Sequence, residues 1–151
     1  MPTLYFAYGS NMASSQLAAW GTEHRALGAA ELADHRIAFL RRSIRWQAGA
    51  ADIVQTPGES VWGVLWELPF GATDLDRKEA AGDAYRRRAV TVGLNGETFT
   101  AMAYEVIEKE PREVPPRREY LDLMLAGARV APTARNMATA DRGVVLHFLK
   151  R

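Results

Sequence analysis

The chain contains no cysteine, and this absence excludes disulfide bonds, a thiol nucleophile and a cysteine-ligated zinc site. It also lacks an excess of either charge, because 19 Lys and Arg residues face 18 Asp and Glu residues and leave a formal net charge of +1. Such a balance offers no basic field for nucleic acid or for an acidic membrane. We therefore expect small-molecule partners, no nucleic acid and no membrane, while the composition leaves the oligomeric state open.

Long apolar runs are also missing, since no stretch of about 18 apolar residues occurs along the chain. The sequence enters a strand-like segment at once, without the basic segment and apolar run that mark a secretory leader. Together with the missing cysteines, these features predict a cytoplasmic protein. A length of 151 residues with 48% hydrophobic content fits one ordinary domain, so we expect a single domain over residues 1–151.

Familiar motifs for metals, nucleophiles and phosphates are absent as well. The three histidines, His24, His35 and His147, show no metal-ligand spacing, and we expect them to be surface or structural residues. No serine lies in a Gly-x-Ser-x-Gly elbow, which argues against a serine nucleophile. No glycine-rich phosphate loop of the Walker or dinucleotide type occurs either. The sequence therefore predicts no metal site.

The remaining pattern is that of an α+β chain with a β core. Strand-like composition recurs at residues 4–8, 36–41, 50–55, 61–68, 85–94 and 98–107. Asn95 and Gly96 between the last two segments predict an antiparallel hairpin. Short helices are expected near residues 14–20, 73–81 and 120–128, the last of them ending near Gly127.

One stretch, Y-F-A-Y-G-S-N-M at residues 5–12, changes abruptly from a buried strand to a small polar loop. Gly9, Ser10 and Asn11 can turn with positive φ and expose successive backbone N–H groups, which could cradle an anion. The helix expected at residues 14–20, capped by a serine, would add its positive terminus. A turn that merely ends the strand explains the same tripeptide, and both interpretations stay open.

Glu79 is an unusually placed carboxylate. It follows Leu75 by four residues on the predicted helix, so both side chains share one face and the carboxylate is drawn toward the core. Burial raises the pKa of a carboxylate and suits it to act as a base near neutral pH. The alternative is an exposed helical glutamate that pairs with Arg77, Lys78 or an arginine among residues 86–88.

Two basic segments could approach a ligand. The near end of the arginine cluster at residues 86–88 could reach a pocket mouth and favour an acidic substrate tail. Prolines and charges in residues 108–119 predict a solvated loop that could serve as a lid. In that loop, Arg112, Arg117 and Arg118 could meet the leaving-group end of a substrate.

Four segments together resemble the γ-glutamylcyclotransferase-like (AIG2-like) family. They are the octapeptide at residues 5–12, V-W-G-V-L at 61–65, L-D-R-K-E at 75–79 and Y-R-R at 85–87, in the order seen in that family. The resemblance covers roughly residues 4–128. It implies a mixed β-barrel with flanking short helices and a pocket beside the Gly-Ser-Asn loop.

The resemblance also implies site residues. Glu79 matches the family's catalytic glutamate, and residues 9–12 match the loop that holds the substrate's glutamyl head group. The other matches wall the pocket, with Tyr85 and Tyr120 the looser ones. The full set of substrate-binding matches is Tyr8, Gly9, Ser10, Asn11, Met12, Tyr85 and Tyr120. For the two looser tyrosines, core packing with one backbone hydrogen bond is an equal alternative.

The expected reaction is attack of the α-amine of a γ-glutamyl compound on its own γ-carbonyl, which releases 5-oxoproline and a free amine. Glu79 would act as general acid and base, and neither a metal nor an organic cofactor is expected. Two other functions stay open. The fold could be a binding module without turnover, or an acyl transferase or hydrolase that uses an amine or water as acceptor.

Overall fold

The computed structural model describes residues 2–80 and 84–130 of the chain. A short 3-10 helix, Ser10–Met12, follows the first strand. The other elements, in chain order, are β1 (Thr3–Ala7), α1 (Ser14–Ala19), β2 (Arg25–Ser43), β3 (Ala48–Leu68), α2 (Thr73–Ala80), β4 (Tyr85–Leu94), β5 (Glu97–Val106) and α3 (Arg118–Val130). No helix among these residues is long and apolar enough to cross a membrane. Residues 144–149, V-V-L-H-F-L, have the composition of a late strand but lie outside the described part. The single-domain assignment stays a prediction.

The five strands close into a barrel in the order β1-β3-β2-β4-β5. β1 runs parallel to β5, and the other neighbours are antiparallel, so the barrel is mixed. This confirms the predicted fold of a mixed β-barrel with flanking short helices. The predicted hairpin is also present, because Leu94 pairs with Glu97 while Asn95 and Gly96 both take positive φ, at 52° and 82°.

Two strands are much longer than predicted. The segments expected at residues 36–41, 50–55 and 61–68 are parts of β2 and β3. Small residues in the first half of β2 gave little strand signal, and Gly58 made β3 look interrupted. The pairing of β2 with β3 is interrupted here, between His35↔Gln55 and Ala33↔Ser60, and continues on both sides. Asp34 and Gly58 both take positive φ at this point, and the Asp34 carboxylate accepts the Gly58 amide at 3.0 Å.

Close approaches of the backbone explain two glycines. A Cβ on Gly63 of β3 would lie 2.3 Å from the carbonyl oxygen of Ala7, so only glycine allows β1 to pack there. A Cβ on Gly127 would lie 2.3 Å from the carbonyl oxygen of Met12. The prediction that the last helix ends near Gly127 was wrong. α3 continues to Val130, and Gly127 instead lets the helix press against the short 3-10 helix.

The proline-rich segment before α3 is mostly exposed to solvent, as predicted, but it is fastened to the barrel and is not free to act as a lid. Its backbone lies along β2, where Glu110 N–H donates to Leu40 O and Val114 N–H donates to Phe39 O, both at 2.8 Å. Val114 is buried, and Pro115 O accepts the Gly49 amide at 3.0 Å. The segment is held because a bulge in β2 turns these carbonyls toward it.

Candidate active site

A cavity of about 760 Å³ opens beside the end of β1. Its wall is built from the loop after β1, the turn between β2 and β3, α2, and residues of β4, β5 and α3. The structure brings the following predicted site residues into its lining: Tyr8, Gly9, Ser10, Asn11, Glu79, Tyr85 and Tyr120. Met12 is not among the lining residues; it is buried under the loop against Gly127.

The loop that enters the cavity is shaped by sterics and not by a left-handed glycine. Gly9 has φ −107°, so the predicted positive φ was wrong. Glycine is required because a Cβ there would lie 2.5 Å from the Tyr120 hydroxyl oxygen and 3.3 Å from the Ala51 Cβ. The chain then turns through a 3-10 bond from Met12 N–H to Gly9 O at 3.0 Å.

The serine cap predicted for α1 was also wrong. The N-cap is Ala13, and no side chain caps the helix. The Ser14 hydroxyl instead bonds to His24 Nε2, while His24 Nδ1 donates to the carbonyl oxygen of Thr22 at 2.8 Å. Residues 14–16, the first turn of α1, do not line the cavity, so this helix terminus is not part of the site.

Asn11 organises the inner end of the cavity. Its side-chain nitrogen donates to Glu79 Oε1 at 3.1 Å and to the Tyr5 hydroxyl at 2.9 Å. Its side-chain oxygen accepts from Lys78 Nζ at 2.9 Å, and its backbone carbonyl accepts from Trp66 Nε1 at 3.0 Å. The Asn11 side chain is thus committed to orienting the carboxylate, a role that the sequence did not suggest.

Glu79 points from α2 into the cavity, one turn after the fully buried Leu75. Only 14% of its side chain is exposed. Burial raises the pKa of Glu79, and the positive charge of Lys78, the Asn11 hydrogen bond and the charge of Arg45 partly oppose that rise. The alternative of an exposed, surface-paired glutamate is therefore not what the structure shows.

Lys78 is a site residue that sequence reasoning treated only as a surface partner. Its side chain is 10% exposed, and Nζ lies 3.8 Å from Glu79 Oε1 and 5.4 Å from the centre of the Trp20 ring. Burial lowers the pKa of Lys78 to about 8, against the attraction of Glu79. Side chains at adjacent helix positions point in different directions, so no spacing rule predicts that Lys78 and Glu79 pair. The long, flexible lysine side chain nevertheless lets the ammonium reach the carboxylate.

Tyr85 and Tyr120 satisfy both alternatives that the sequence left open, because each lines the cavity and each bonds to the backbone. Tyr85 donates to Ala51 O at 3.1 Å, and Ala51 N–H donates to the Tyr120 hydroxyl at 2.9 Å. Ala51 is available because two residues of β2 face it at the bulge between Ala38 and Arg41. Burial raises the pKa of Tyr120 to about 12.

The arginine cluster of β4 does not reach the cavity, and that prediction was wrong. Arg86 pairs with Glu105 at 2.8 Å, and Arg87 pairs with Asp76 at 2.6 Å. Arg88 lies 3.6 Å from Glu105 and donates to His35 Nε2 at 2.7 Å. Carboxylates on β5 and α2 therefore neutralise the cluster outside the cavity.

The mouth of the cavity is instead lined by basic and aromatic residues around the β2–β3 turn. Arg41, Arg45 and Trp46 belong to this wall, and Trp20 faces them from the end of α1. Sequence reasoning missed all four, because a connection between strands carries no spacing signal. Arg112, Arg117 and Arg118 of the proline-rich segment do not line the cavity.

Chemically, the cavity holds a buried carboxylate with a raised pKa, fixed by an amide and a lysine, that can accept and return a proton. Residues 2–80 and 84–130 contain no group of three or more His, Cys, Asp or Glu side chains placed to hold a metal ion.

Comparisons with known proteins identify relatives of this chain. The family model described as the AIG2-like family matches residues 60–135. A γ-glutamylcyclotransferase from Bos taurus is 31% identical over 133 residues, which cover 83% of this chain and 70% of the bovine protein. A γ-glutamylcyclotransferase from Homo sapiens is 30% identical over 133 residues with the same coverage.

A solved structure described as a γ-glutamyl cyclotransferase superposes with a TM-score of 0.80, covering 97% of this chain and 99% of that one. Its sequence identity of 23% supports the shared fold alone. The family model, which matches half of the chain, and the two mammalian relatives, at 30% identity or more over 83% of it, show the family. The chain belongs to the AIG2-like family of γ-glutamylcyclotransferase-like enzymes.

Proposed function

We propose that this enzyme cyclises γ-glutamyl compounds, releasing 5-oxoproline and the amine that was bound to the γ-carbonyl, with Glu79 as the general acid and base. The observation that carries the proposal is the buried Glu79 carboxylate, held by Asn11 and Lys78 in a cavity walled by the Gly9–Asn11 backbone. The names of the mammalian relatives support the same reaction class.

The proton balance requires only one carboxylate. Glu79 takes a proton from the substrate's α-ammonium, and the freed amine attacks the γ-carbonyl carbon to close a five-membered ring. The bond from that carbon to the departing nitrogen then breaks. The α-nitrogen loses two protons in all and the departing amine gains two, so a carboxylate that accepts and returns protons in turn completes the reaction.

Positioning supplies much of the remaining rate. Ring closure joins two groups of one molecule, and effective molarities for well-oriented cases reach about 10⁵–10⁸ M. The enzyme then has to hold the glutamyl chain folded with its amine near Glu79. The cavity's narrow inner end, between the Gly9–Asn11 loop and α2, is where we place that group.

We place the α-carboxylate of the substrate on the backbone of Ser10 and Asn11. These residues begin the short 3-10 helix, where the first amides have no carbonyl acceptor inside the helix. The Tyr120 hydroxyl lies beside Ser10, whose backbone and side chain both lower the pKa of that tyrosine. A carboxylate there would find backbone and hydroxyl hydrogens to accept.

Lys78 sets the resting charge of Glu79 in this proposal. Burial favours the neutral carboxylic acid, which cannot accept a proton, and an ammonium 3.8 Å away favours the ionised form. The ammonium thus opposes the effect of burial on the pKa of Glu79, which remains raised above its ordinary value. The expected substrates are small molecules, and the cysteine-free composition supports action in the cytoplasm.

The test incubates the purified protein with γ-glutamyl amino acids, amines and peptides and measures 5-oxoproline and glutamate by chromatography. We expect 5-oxoproline from the wild type and none above background from Glu79→Gln. The control is Glu67→Gln, which removes a carboxylate that pairs with Arg25 away from the cavity. Release of glutamate in place of 5-oxoproline would instead identify a hydrolase.

A further inference from the structure

We propose that Arg41 and Arg45, together with Trp20 and Trp46, form a subsite for a carboxylate of the leaving group, so that the enzyme prefers γ-glutamyl substrates whose departing amine carries an additional negative charge. The proposal rests on the proposed cyclisation, because that reaction defines which part of the substrate leaves. It names the leaving group's charge as the property that the cavity mouth selects.

Contacts with two tryptophans and a glutamine orient the guanidinium group of Arg45. Its guanidinium carbon lies 5.0 Å from the centre of the Trp20 ring and 5.4 Å from that of the Trp46 ring. One of its terminal nitrogens donates to Gln16 Oε1 at 3.3 Å. Stacking between two indoles fixes the plane of the guanidinium and leaves its other N–H groups available to a carboxylate.

The charges of Arg41 and Arg45 are not neutralised by the protein. Neither arginine forms an ion pair with an acidic side chain in residues 2–80 and 84–130. Arg77, which also lines the cavity, lies 3.6 Å from Asp74. Positive charge that remains unpaired in a concave wall raises the local concentration of anions.

The subsite lies within electrostatic reach of the reacting groups. Burial raises the pKa of Glu79 and of Tyr85 and lowers that of Lys78. The charge of Arg45 opposes the shift at Glu79 and adds to that at Lys78, and the charge of Arg41 opposes the shift at Tyr85. A cavity of about 760 Å³ has room for more than a glutamyl group. With the glutamyl end at the inner loop, the departing amine extends toward the two arginines.

The test compares γ-glutamyl-glutamate with γ-glutamyl-glutamine, which have nearly the same size and differ by one negative charge. We expect wild-type kcat/KM to favour the acidic dipeptide by about 5- to 10-fold, the range of one or two partly exposed charge contacts. Arg41→Gln and Arg45→Gln should each remove a large part of that preference. Raising the ionic strength should reduce it in the wild type.

Arg42→Gln is the matched control. Arg42 is the immediate neighbour of Arg41, is exposed, lies 3.9 Å from Glu110 and does not line the cavity. Its replacement should leave the preference unchanged. Arg45→Lys keeps the charge without the planar fork and should retain part of the preference. Thermal midpoints and circular dichroism check that every variant is folded.

Binding separates this proposal from the proposed function. If no γ-glutamyl compound yields 5-oxoproline, the cyclisation fails, and calorimetric titration of the same two dipeptides still tests the subsite. Tighter binding of the acidic dipeptide that is lost in Arg41→Gln and Arg45→Gln supports it. Equal affinities, or a preference that both variants retain, overturn it whether or not 5-oxoproline forms.

Discussion

The two ends of the cavity differ in whether their charged side chains are paired within the protein. At the inner end, Asn11, Lys78 and Glu79 form a buried network in which the Asn11 amide bonds to both charged side chains and the two charges pair with each other. At the mouth, Arg41 and Arg45 keep their charges unpaired among the described residues. A satisfied, buried network fixes a pKa and a geometry, which proton transfer requires. Unpaired charge near solvent is suited to choosing among ligands.

The largest effect is expected at the inner end. Glu79→Gln keeps the size and hydrogen bonding of the side chain but cannot accept a proton, so kcat should fall by about 10²–10⁴-fold. The fold should persist, because the replacement adds no volume and removes a buried charge. Single-turnover rates of 5-oxoproline release, with the thermal midpoint alongside, check this. A rate within a few-fold of the wild type would contradict the assignment of Glu79 as the base.

The sequence predicted the parts of this site that depend on neighbouring residues, and it did not predict those that depend on contacts between distant residues. Glu79 was found because a four-residue helix spacing places it above Leu75, a local relation. Asn11 as the partner of Glu79, and Arg45 between two indoles, join residues far apart in the chain that only barrel closure brings together. The barrel itself was implied by the resemblance. The extents of β2 and β3 were not, because a bulge and a positive-φ glycine interrupt their local signal.

Gly9→Ala should have the next largest effect. The new Cβ would lie 2.5 Å from the Tyr120 hydroxyl oxygen, so the loop or α3 must shift, at a cost on the order of 1–3 kcal/mol in the free energy of unfolding. Turnover should fall with it, because the same loop faces Glu79. Denaturant unfolding and kcat/KM measure the two losses.

Two further variants make the Gly9 prediction specific. Tyr120→Phe removes the atom that the new Cβ would meet, so the double variant should recover part of the stability that Gly9→Ala loses relative to Tyr120→Phe alone. Gly93→Ala is the matched control in a strand, where the nearest atom to a new Cβ is 3.9 Å away. Equal losses at Gly9 and Gly93 would show that the close contact with Tyr120 is not what requires glycine.

Lys78→Met should change the pH dependence of the reaction more than its maximum rate. The ammonium favours the ionised form of Glu79, so removing it raises the pKa of Glu79 further. Since the base must be ionised, the acidic limb of the kcat/KM profile should move to higher pH, by about one unit. Arg77→Met is the control, because its charge is shared with Asp74 at 3.6 Å. An acidic limb that stays in place would remove Lys78 from the site's electrostatics.

The smallest effect is expected in the proline-rich segment, whose arginines the sequence predicted to contact the leaving group. Replacing Arg112, Arg117 and Arg118 together by Ala should change the ratio of kcat/KM between γ-glutamyl-glutamate and γ-glutamyl-glutamine by less than about 2-fold, since screened charges outside the cavity contribute little. Their segment lies along β2, and none of the three lines the cavity. The same assay on Arg41→Gln supplies the contrast, because one arginine at the mouth should then outweigh three outside it. A triple variant that loses the preference while Arg41→Gln keeps it would reverse the comparison and return selectivity to the proline-rich segment.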